Sequence, residues 1–336
     1  MTRPGCQHLG MSRLGTAVAL LAVTLVAGCG SPTSPAPAPT SSAVTQVSLK
    51  QPVGLAVAAG ALWAVSANDG TVARIDPETG RVTASVIVGV TPLRSATDGD
   101  LLWITAFSGQ LVAVNTTSAT VDRRVALSGE PEGVGVGFGS VWVVRQGAHD
   151  LTRLDRNGTI LGATPLGAMP RLVAFGPSYV WTSDYADGTL TRVDPNGGPV
   201  RTTVRLCEGA QGMVVDAGIV WVTCTKSGEV VALDEATLDV RGRVAVSGEP
   251  DAIRLVDGRL WVAATRGPTL VEISVNPSAP AVLGSWQISE NSALQDRANV
   301  DLVVFDGRGW ISSPRANKVY GFSWPPSWGD GPLVRV

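Results

Sequence analysis

Two sets of positions in this chain carry side chains able to do chemistry, and both recur at a fixed interval. Directly after a recurring proline stand Val53, Leu93, Glu132, Arg171 and Asp251, with Gly212 and Val300 at the corresponding places of two units that lack the proline. Three residues beyond a recurring tryptophan stand Ser66, Ala106, Arg145, Asp184, Cys224, Ala264 and Ser313. Carboxylates grouped in this way suit acid–base work or a divalent cation, and guanidiniums suit an anion. With Arg94, Glu208 and Arg266 from neighbouring segments, the candidate binding set is Arg94, Glu132, Arg145, Arg171, Asp184, Glu208, Asp251 and Arg266. Glu130, Glu249, Asp301 and Arg315 extend the same charged rim. A solvated loop face, charged only for solubility, is an equal reading of these residues.

No established catalytic template is complete. Beyond residue 28 the chain has one histidine, His149, so a Ser-His-Asp arrangement would rest on it alone. No Gly-x-Ser-x-Gly elbow and no Cys/His metal spacing occurs. Asn68-Asp69-Gly70 and Asp98-Gly99-Asp100 resemble calcium loops, but hairpin turns use the same residues for backbone reasons. The sequence therefore assigns no catalytic and no metal-binding residue.

The elements that must position these groups begin with an address. Leu14–Gly28 is an apolar run behind Arg3 and Arg13, the length of a signal-peptide core and short for a membrane span. It ends in Val26-Ala27-Gly28-Cys29, which looks like a bacterial lipobox whose Cys29 takes a diacylglyceryl thioether. Met11-Ser12-Arg13 is an alternative start. The Ser/Pro/Ala stretch that follows cannot bury apolar surface and reads as a tether. The expected domains are thus a lipoprotein signal peptide over 1–28, a tether over 29–43 and a folded domain over 44–336. The expected location is the extracytoplasmic side of the cell membrane, held by fatty-acylated Cys29. In that oxidising setting Cys207 and Cys224 are expected to form a disulfide, a reactive thiol being the lesser alternative.

The folded domain is one unit repeated seven times. Trp63, Trp103, Trp142, Trp181, Trp221, Trp261 and Trp310 are spaced by 40, 39, 39, 40, 40 and 49 residues. Within each unit, short β-branched runs alternate with turn pairs such as Asp98-Gly99, Asp257-Gly258 and Asp306-Gly307. Four strands fit each unit; in the second they are expected over Leu93–Thr97, Leu101–Ala106, Gln110–Asn115 and Thr120–Leu127. Four strands per period of about 40, seven times, predict an all-β, seven-bladed β-propeller of antiparallel blades. The grid tryptophans read as wedges between blades, while Trp286, Trp324 and Trp328 are assigned to the irregular last blade. A propeller must close to hide its edges, either by Ala43–Leu49 as the outer strand of the last blade or by Leu333–Val336, with the first preferred.

Composition agrees with many short strands and excludes some functions. There are 39 Gly and 22 Pro, and 16% of residues are charged. With Arg3 and Arg13 removed, 24 basic residues face 28 acidic ones, a balance of −4. That balance argues against nucleic acid as a partner and against electrostatic attachment to an anionic membrane. A monomer is expected.

The repeat phrase is Pro-x-Gly/x-apolar-Ala, then apolar-Trp-apolar, then Gly-x-apolar-x-Arg-apolar-Asp-Pro, as in Pro52–Ala56, Leu62–Ala64 and Gly70–Pro77. Over residues 44–323 it resembles the bacterial lactonase-like YVTN propellers and, more closely, the virginiamycin B (streptogramin) lyases. The resemblance implies histidines after the repeat proline and a glutamate after the tryptophan segment to hold magnesium; this chain has no histidine in either ring. The expectation is accordingly a non-catalytic binding or scaffold module, without cofactor, for an envelope protein or a small polar ligand. The alternative is a divergent lyase or lactonase using divalent magnesium or calcium at Glu132 and Asp251.

Overall fold

Each repeat folds as four antiparallel strands because its second and third strands are apolar on both faces and its fourth is not. In the first unit, Ala61–Ser66 is buried at every residue, as a strand sandwiched between two neighbours must be. The outermost strand of the second unit, Thr120–Ala126, alternates exposed and partly buried residues and carries Asp122, Arg123 and Arg124 at the rim. The computed structural model describes residues 44–196, 201–289, 299–326 and 334–335. The signal peptide, Cys29 and the tether over 29–43 lie outside them, as does Trp328.

Among the described residues the strands form seven sheets, the blades of a β-propeller. The second blade comprises Pro92–Asp98, Leu101–Ala106, Gln110–Asn115 and Thr120–Ala126, within a residue or so of the expected bounds. The inner strands Pro52–Ala58, Pro92–Asp98, Pro131–Gly137, Pro170–Phe175, Ala210–Asp216, Pro250–Val256 and Leu302–Phe305 each pack against both neighbours, closing a ring around a channel.

Closure is made by the N-terminal strand. Thr45–Ser48 pairs antiparallel with Lys318–Ser323, Thr45 facing Gly321, and so completes the seventh blade as its outer strand. The rival, Val334–Arg335, instead adds a fifth strand to the outer edge of blade six, beside Val282–Gln287.

Every grid tryptophan packs on the following blade. Trp63 lies in one apolar cluster with Leu102, Ile104, Val112 and Val114 of blade two. Trp310 reaches round the closure to Leu55, Leu62, Ala64 and Ile75 of blade one. All seven are 4% exposed or less, which fits the wedge reading and not a ring of open stacking platforms. Trp286 departs from expectation: it sits in the outer strand of blade six, its ring 5.7 Å from Trp261. Trp324 follows the third strand of blade seven and meets Trp261 edge-on at 4.4 Å.

The hairpins between first and second strands are two-residue turns with both residues left-handed in most blades. Asp257-Gly258 has φ of 49° and 69°, and Asp306-Gly307 has 52° and 65°. This mirror-image turn matches strand twist. In blade two the central pair is Gly99-Asp100 and not Asp98-Gly99, since Asp98 pairs with Leu101 within the ladder.

Candidate functional site: the channel wall and mouth

The repeat proline begins the inner strands of blades one, two, three, four and six, and the residue before it has a left-handed backbone. Gln51, Thr91, Glu130, Met169 and Glu249 all hold φ between 51° and 63°. In blade five the same turn is made by Gly209 at φ 72°, followed by Ala210 in the proline position. Just inside, the inner strands of blades one to six bulge: in blade three Pro131 pairs with Arg145, but the next paired residue is Val134, with Val143. A bulge re-aims the side chains it contains. Here it aims the residue after proline at the channel.

The third residue of the phrase explains its glycine. A Cβ on Gly54, Gly133 or Gly212 would strike the backbone of Leu93, Arg171 or Asp251 on the next blade. Only glycine allows that close approach. Hydroxyls two residues beyond the tryptophan then staple the bulges together. Thr105 Oγ1 donates to Glu132 O at 2.6 Å, Thr223 Oγ1 to Asp251 O at 2.6 Å, and Ser312 Oγ to Val53 O at 2.7 Å.

This scaffold divides the channel into two walls. Blades one, two and seven present Val53, Leu93 and Val300, all buried and apolar. Blades three to six present Glu132, Arg171, Gln211 and Asp251. Arg171 Nη1 is 3.3 Å from Glu132 Oε1, and Glu132 is only 2% exposed. Asp251 Oδ2 accepts the Val300 N–H at 2.8 Å, across the blade six to seven junction. Burial pushes the Asp251 carboxyl up to about 6, against the opposing pull of Arg94, the Val300 N–H, the Gln211 amide and Arg171. Gln211 itself is fully buried, its amide acting on the Asp251 carboxyl.

Four of the eight candidate residues therefore meet: Arg94, Glu132, Arg171 and Asp251. The other four do not join them. Arg145 is held by Asp150, with Nε to Oδ1 at 2.8 Å and Nη2 to Oδ2 at 2.5 Å, and also donates to Ser128 O. Asp184 is buried and accepts from Thr189 and Thr191 hydroxyls, 2.9 and 3.3 Å from Oδ2. Burial raises its pKa, opposed by those hydroxyls and the Gly167 N–H. Glu208 lies exposed on the crossover from blade four to blade five, and Arg266 lies exposed in the hairpin between the second and third strands of blade six.

Sequence reasoning misses Gln211, because blade five lacks its proline and the position after it is counted as Gly212. The spacing Ala210-Gln211-Gly212, matching Pro131-Glu132-Gly133, carries the signal. It also misses Tyr185 on the mouth, whose ring lies under Arg171 at 5.2 Å and Lys226 at 4.7 Å. Above the apolar wall the mouth opens into a cavity of about 400 Å³, lined by Gln51, Val53, Ala67, Asn68, Leu93 and Asn317 among others.

The disulfide stands at the same level. Cys207, on the crossover from blade four, is bonded to Cys224, with Cα atoms 6.0 Å apart. Cys224 faces Ala210 in the ladder, so the bond anchors a crossover that has no proline.

Glu132 and Asp251 do not fit a divalent cation. A guanidinium already lies against Glu132, and two guanidiniums act on Asp251, so the two carboxylate charges are already offset and leave little attraction for a metal ion.

Fold and site together define a seven-bladed β-propeller with a half-apolar, half-charged channel mouth. Its architecture is that of a Staphylococcus aureus virginiamycin B lyase, solved with quinupristin as a catalytically inactive histidine-to-alanine variant: TM-score 0.69, 15% identity, 84% of this chain and 99% of that one. A streptogramin B lyase structure gives TM-score 0.68 and 14% identity over 83% of this chain and 96% of that one. Kuenenia stuttgartiensis hydrazine synthase gives 0.62 and 14%, over 83% and 97%. No family model and no curated protein matches the sequence.

Proposed function

We propose that this protein is a lipid-anchored, extracytoplasmic β-propeller that binds a polar ligand or an envelope protein at its channel mouth and does not catalyse a reaction. The observation that carries this reading is the mouth itself. A cavity of about 400 Å³ with an apolar floor sits beside a charged rim bearing Tyr185 between two cations. Such a concave, mixed surface suits recognition. The wall carboxylates are committed to neighbouring blades, Glu132 to Arg171 and Asp251 to the Val300 N–H, which suits a fixed shape better than proton transfer. The lyase of similar fold is described as inactive when one histidine becomes alanine. In this chain the single histidine after residue 28, His149, is in the hairpin between the second and third strands of blade three, with Nδ1 3.1 Å from Gly167 O.

The anchor is proposed from Val26-Ala27-Gly28-Cys29 and the Pro-rich stretch behind it. Labelling cells with a radioactive fatty acid should mark the wild type and not Cys29→Ser. For the mouth, cross-linking of the wild type in intact envelopes should yield an adduct that Asn68→Trp, which fills the cavity, and Lys226→Glu both lose. Turnover of a streptogramin or lactone by the purified protein, abolished by Glu132→Gln or Asp251→Asn, would overturn the non-catalytic reading.

A further inference from the structure

The outer strand of each blade is a sheet edge, and an open edge is a template for another strand. Among the described residues, six blades protect theirs. Thr120–Ala126 carries Asp122, Arg123 and Arg124, Arg201–Arg205 carries Arg205, and Val240–Ala245 carries Arg241 and Arg243. Thr45–Ser48 is only four residues long. Val82–Ile87 has no charge of its own, but Arg124 of the next blade donates Nη2 to Ile87 O at 2.8 Å and Nη1 to Val88 O at 3.0 Å. Val282–Gln287, also uncharged, is covered by Val334–Arg335 as a fifth strand. Ile160–Pro165 of blade three has none of these devices: it bears no charge, and no strand follows it in its sheet. The next blade sends it no arginine either. Arg124 faces Val112, and Arg243, whose Nη2 reaches Leu206 O of the preceding blade, faces Val231; at the same place in blade four Thr203 faces Thr191. Ile160 and Leu161 are 52% and 54% exposed, and a Cβ on Gly162 would meet nothing within 4 Å. Beside this strand, toward blade four, runs a groove of about 330 Å³ whose walls include Trp142, Leu151, Arg153, Leu161, Thr164 and Asp194.

We propose that this edge receives an extended segment of another polypeptide, added to blade three as a fifth strand with apolar residues at alternate positions. Blade six is the precedent within the chain, since an uncharged outer strand of the same six-residue length is covered there by an extended segment. Backbone hydrogen bonds along Ile160–Thr164 hold the added strand, and the two-residue period of its side chains sets every second one over the groove. Pro165 has no N–H to offer and ends the pairing toward the mouth. The charges on the groove walls already have partners. Arg153 lies over the Trp142 ring at 5.4 Å and donates Nε to Ser140 Oγ at 2.9 Å, and Asp194 Oδ1 accepts the Asn196 N–H at 2.8 Å. An apolar side chain therefore fits the groove better than a charged one. The edge is on the outer flank of the propeller and uses none of the mouth residues, so it stands apart from the reading of the mouth given above.

The test uses the whole mature protein and a phage-displayed library of random peptides, depleted on Ala163→Arg and then selected on the wild type. The selected peptides should carry apolar residues at alternate positions. A synthetic copy of the strongest binder should slow amide hydrogen exchange over Ile160–Thr164 by about 10-fold or more. Leu161→Lys, at an exposed position, should weaken that binding about 10-fold or more, and so should Thr203→Arg, which supplies the arginine found in blades two and five. Because Thr203 is outside the edge strand, its variant decides should Leu161→Lys fail to fold. Ile87→Lys, on the protected edge of blade one, should bind as the wild type does; an equal loss there would mean general apolar adhesion and overturn the site. A library that yields no binder, slowed exchange elsewhere in the protein, or binding that survives both Leu161→Lys and Thr203→Arg would also overturn it. So would a dimer of the free protein that Leu161→Lys dissolves in light scattering, because the edge would then serve a second copy.

Discussion

Arg171 of blade four reaches back to Glu132 of blade three, Nη1 to Oε1 at 3.3 Å, and so ties two inner strands together at the channel wall. With Glu132 2% exposed, the pair is largely withdrawn from water. Removing one partner of a buried pair leaves an uncompensated charge, which costs more than the pair contributes. Arg171→Met should lower stability by about 3 kcal/mol in urea denaturation. The double variant Arg171→Met/Glu132→Gln should recover much of that loss, and a double variant no better than the single would refute the coupling.

Cys207 and Cys224 close an 18-residue loop over the crossover into blade five, whose inner strand opens on Ala210 in place of proline. On the chain-entropy model such a loop contributes about 3 kcal/mol. Alkylation mass spectrometry should find both sulfurs blocked until reductant is added. Reduction or Cys207→Ala/Cys224→Ala should then lower the denaturation midpoint with little change in slope.

The pH dependence of stability has two opposed parts. Asp251 has its folded pKa raised to about 6, so the folded state holds that proton more tightly than the unfolded chain. Its contribution is fully present below about pH 4, the ordinary aspartate value, and is lost as pH rises through about 6. Asp251→Asn should therefore gain on the wild type between pH 4 and 6 and keep a constant advantage above. Stability measured at pH 4, 5, 6 and 7 for both proteins checks the sign.

Asp76, Asp155 and Asp234 act in the opposite sense. Each caps the turn after a third strand through backbone N–H groups, as Asp76 Oδ1 does with Glu78 at 3.0 Å and Thr79 at 2.9 Å. Those bonds hold their carboxyls below the ordinary value, led by the N–H of Thr79, Thr159 and Thr237 respectively. Their stabilisation is complete above the usual aspartate pKa and is lost as pH falls below about 4. A triple Asp→Ala variant should be less stable than the wild type at pH 6 and lose less on acidification to pH 3.

Tryptophans at equivalent places are not energetically equivalent. Trp181 Nε1 donates to Glu235 Oε1 of blade five at 3.2 Å, whereas Trp103 Nε1 is buried without an acceptor. Trp181→Phe should therefore cost about 1–2 kcal/mol more than Trp103→Phe, because a buried carboxylate loses its donor. Parallel denaturation curves of the two variants provide the comparison.

The fold was legible because it is written seven times. A wedge-shaped gap recurs between blades, so a tryptophan recurs near every 40 residues, flanked by apolar neighbours that are buried on both faces. Even the closure was readable, since Val44–Leu49 has the pattern of an outer strand. Trp286 was misplaced because the longer connection between blades six and seven shifts the grid, and spacing alone does not say which side of an insertion a residue joins. The mouth was half legible. Position after proline located Glu132, Arg171 and Asp251, but nothing local distinguished them from Arg145, which turns sideways to Asp150.

By itself, then, the sequence determined the repeat, the blade count, the turns and the cysteine pair, all properties of local pattern within about 40 residues. Tertiary structure alone decided which charges meet. Glu132 and Arg171 are 39 residues apart and Asp251 and Val300 are 49, yet each pair is joined across a blade junction. Arg94 and Asn299, 205 apart, bond across the ring. Only ring closure sets those distances, because charge and burial act through space while the periodic signal runs along the chain.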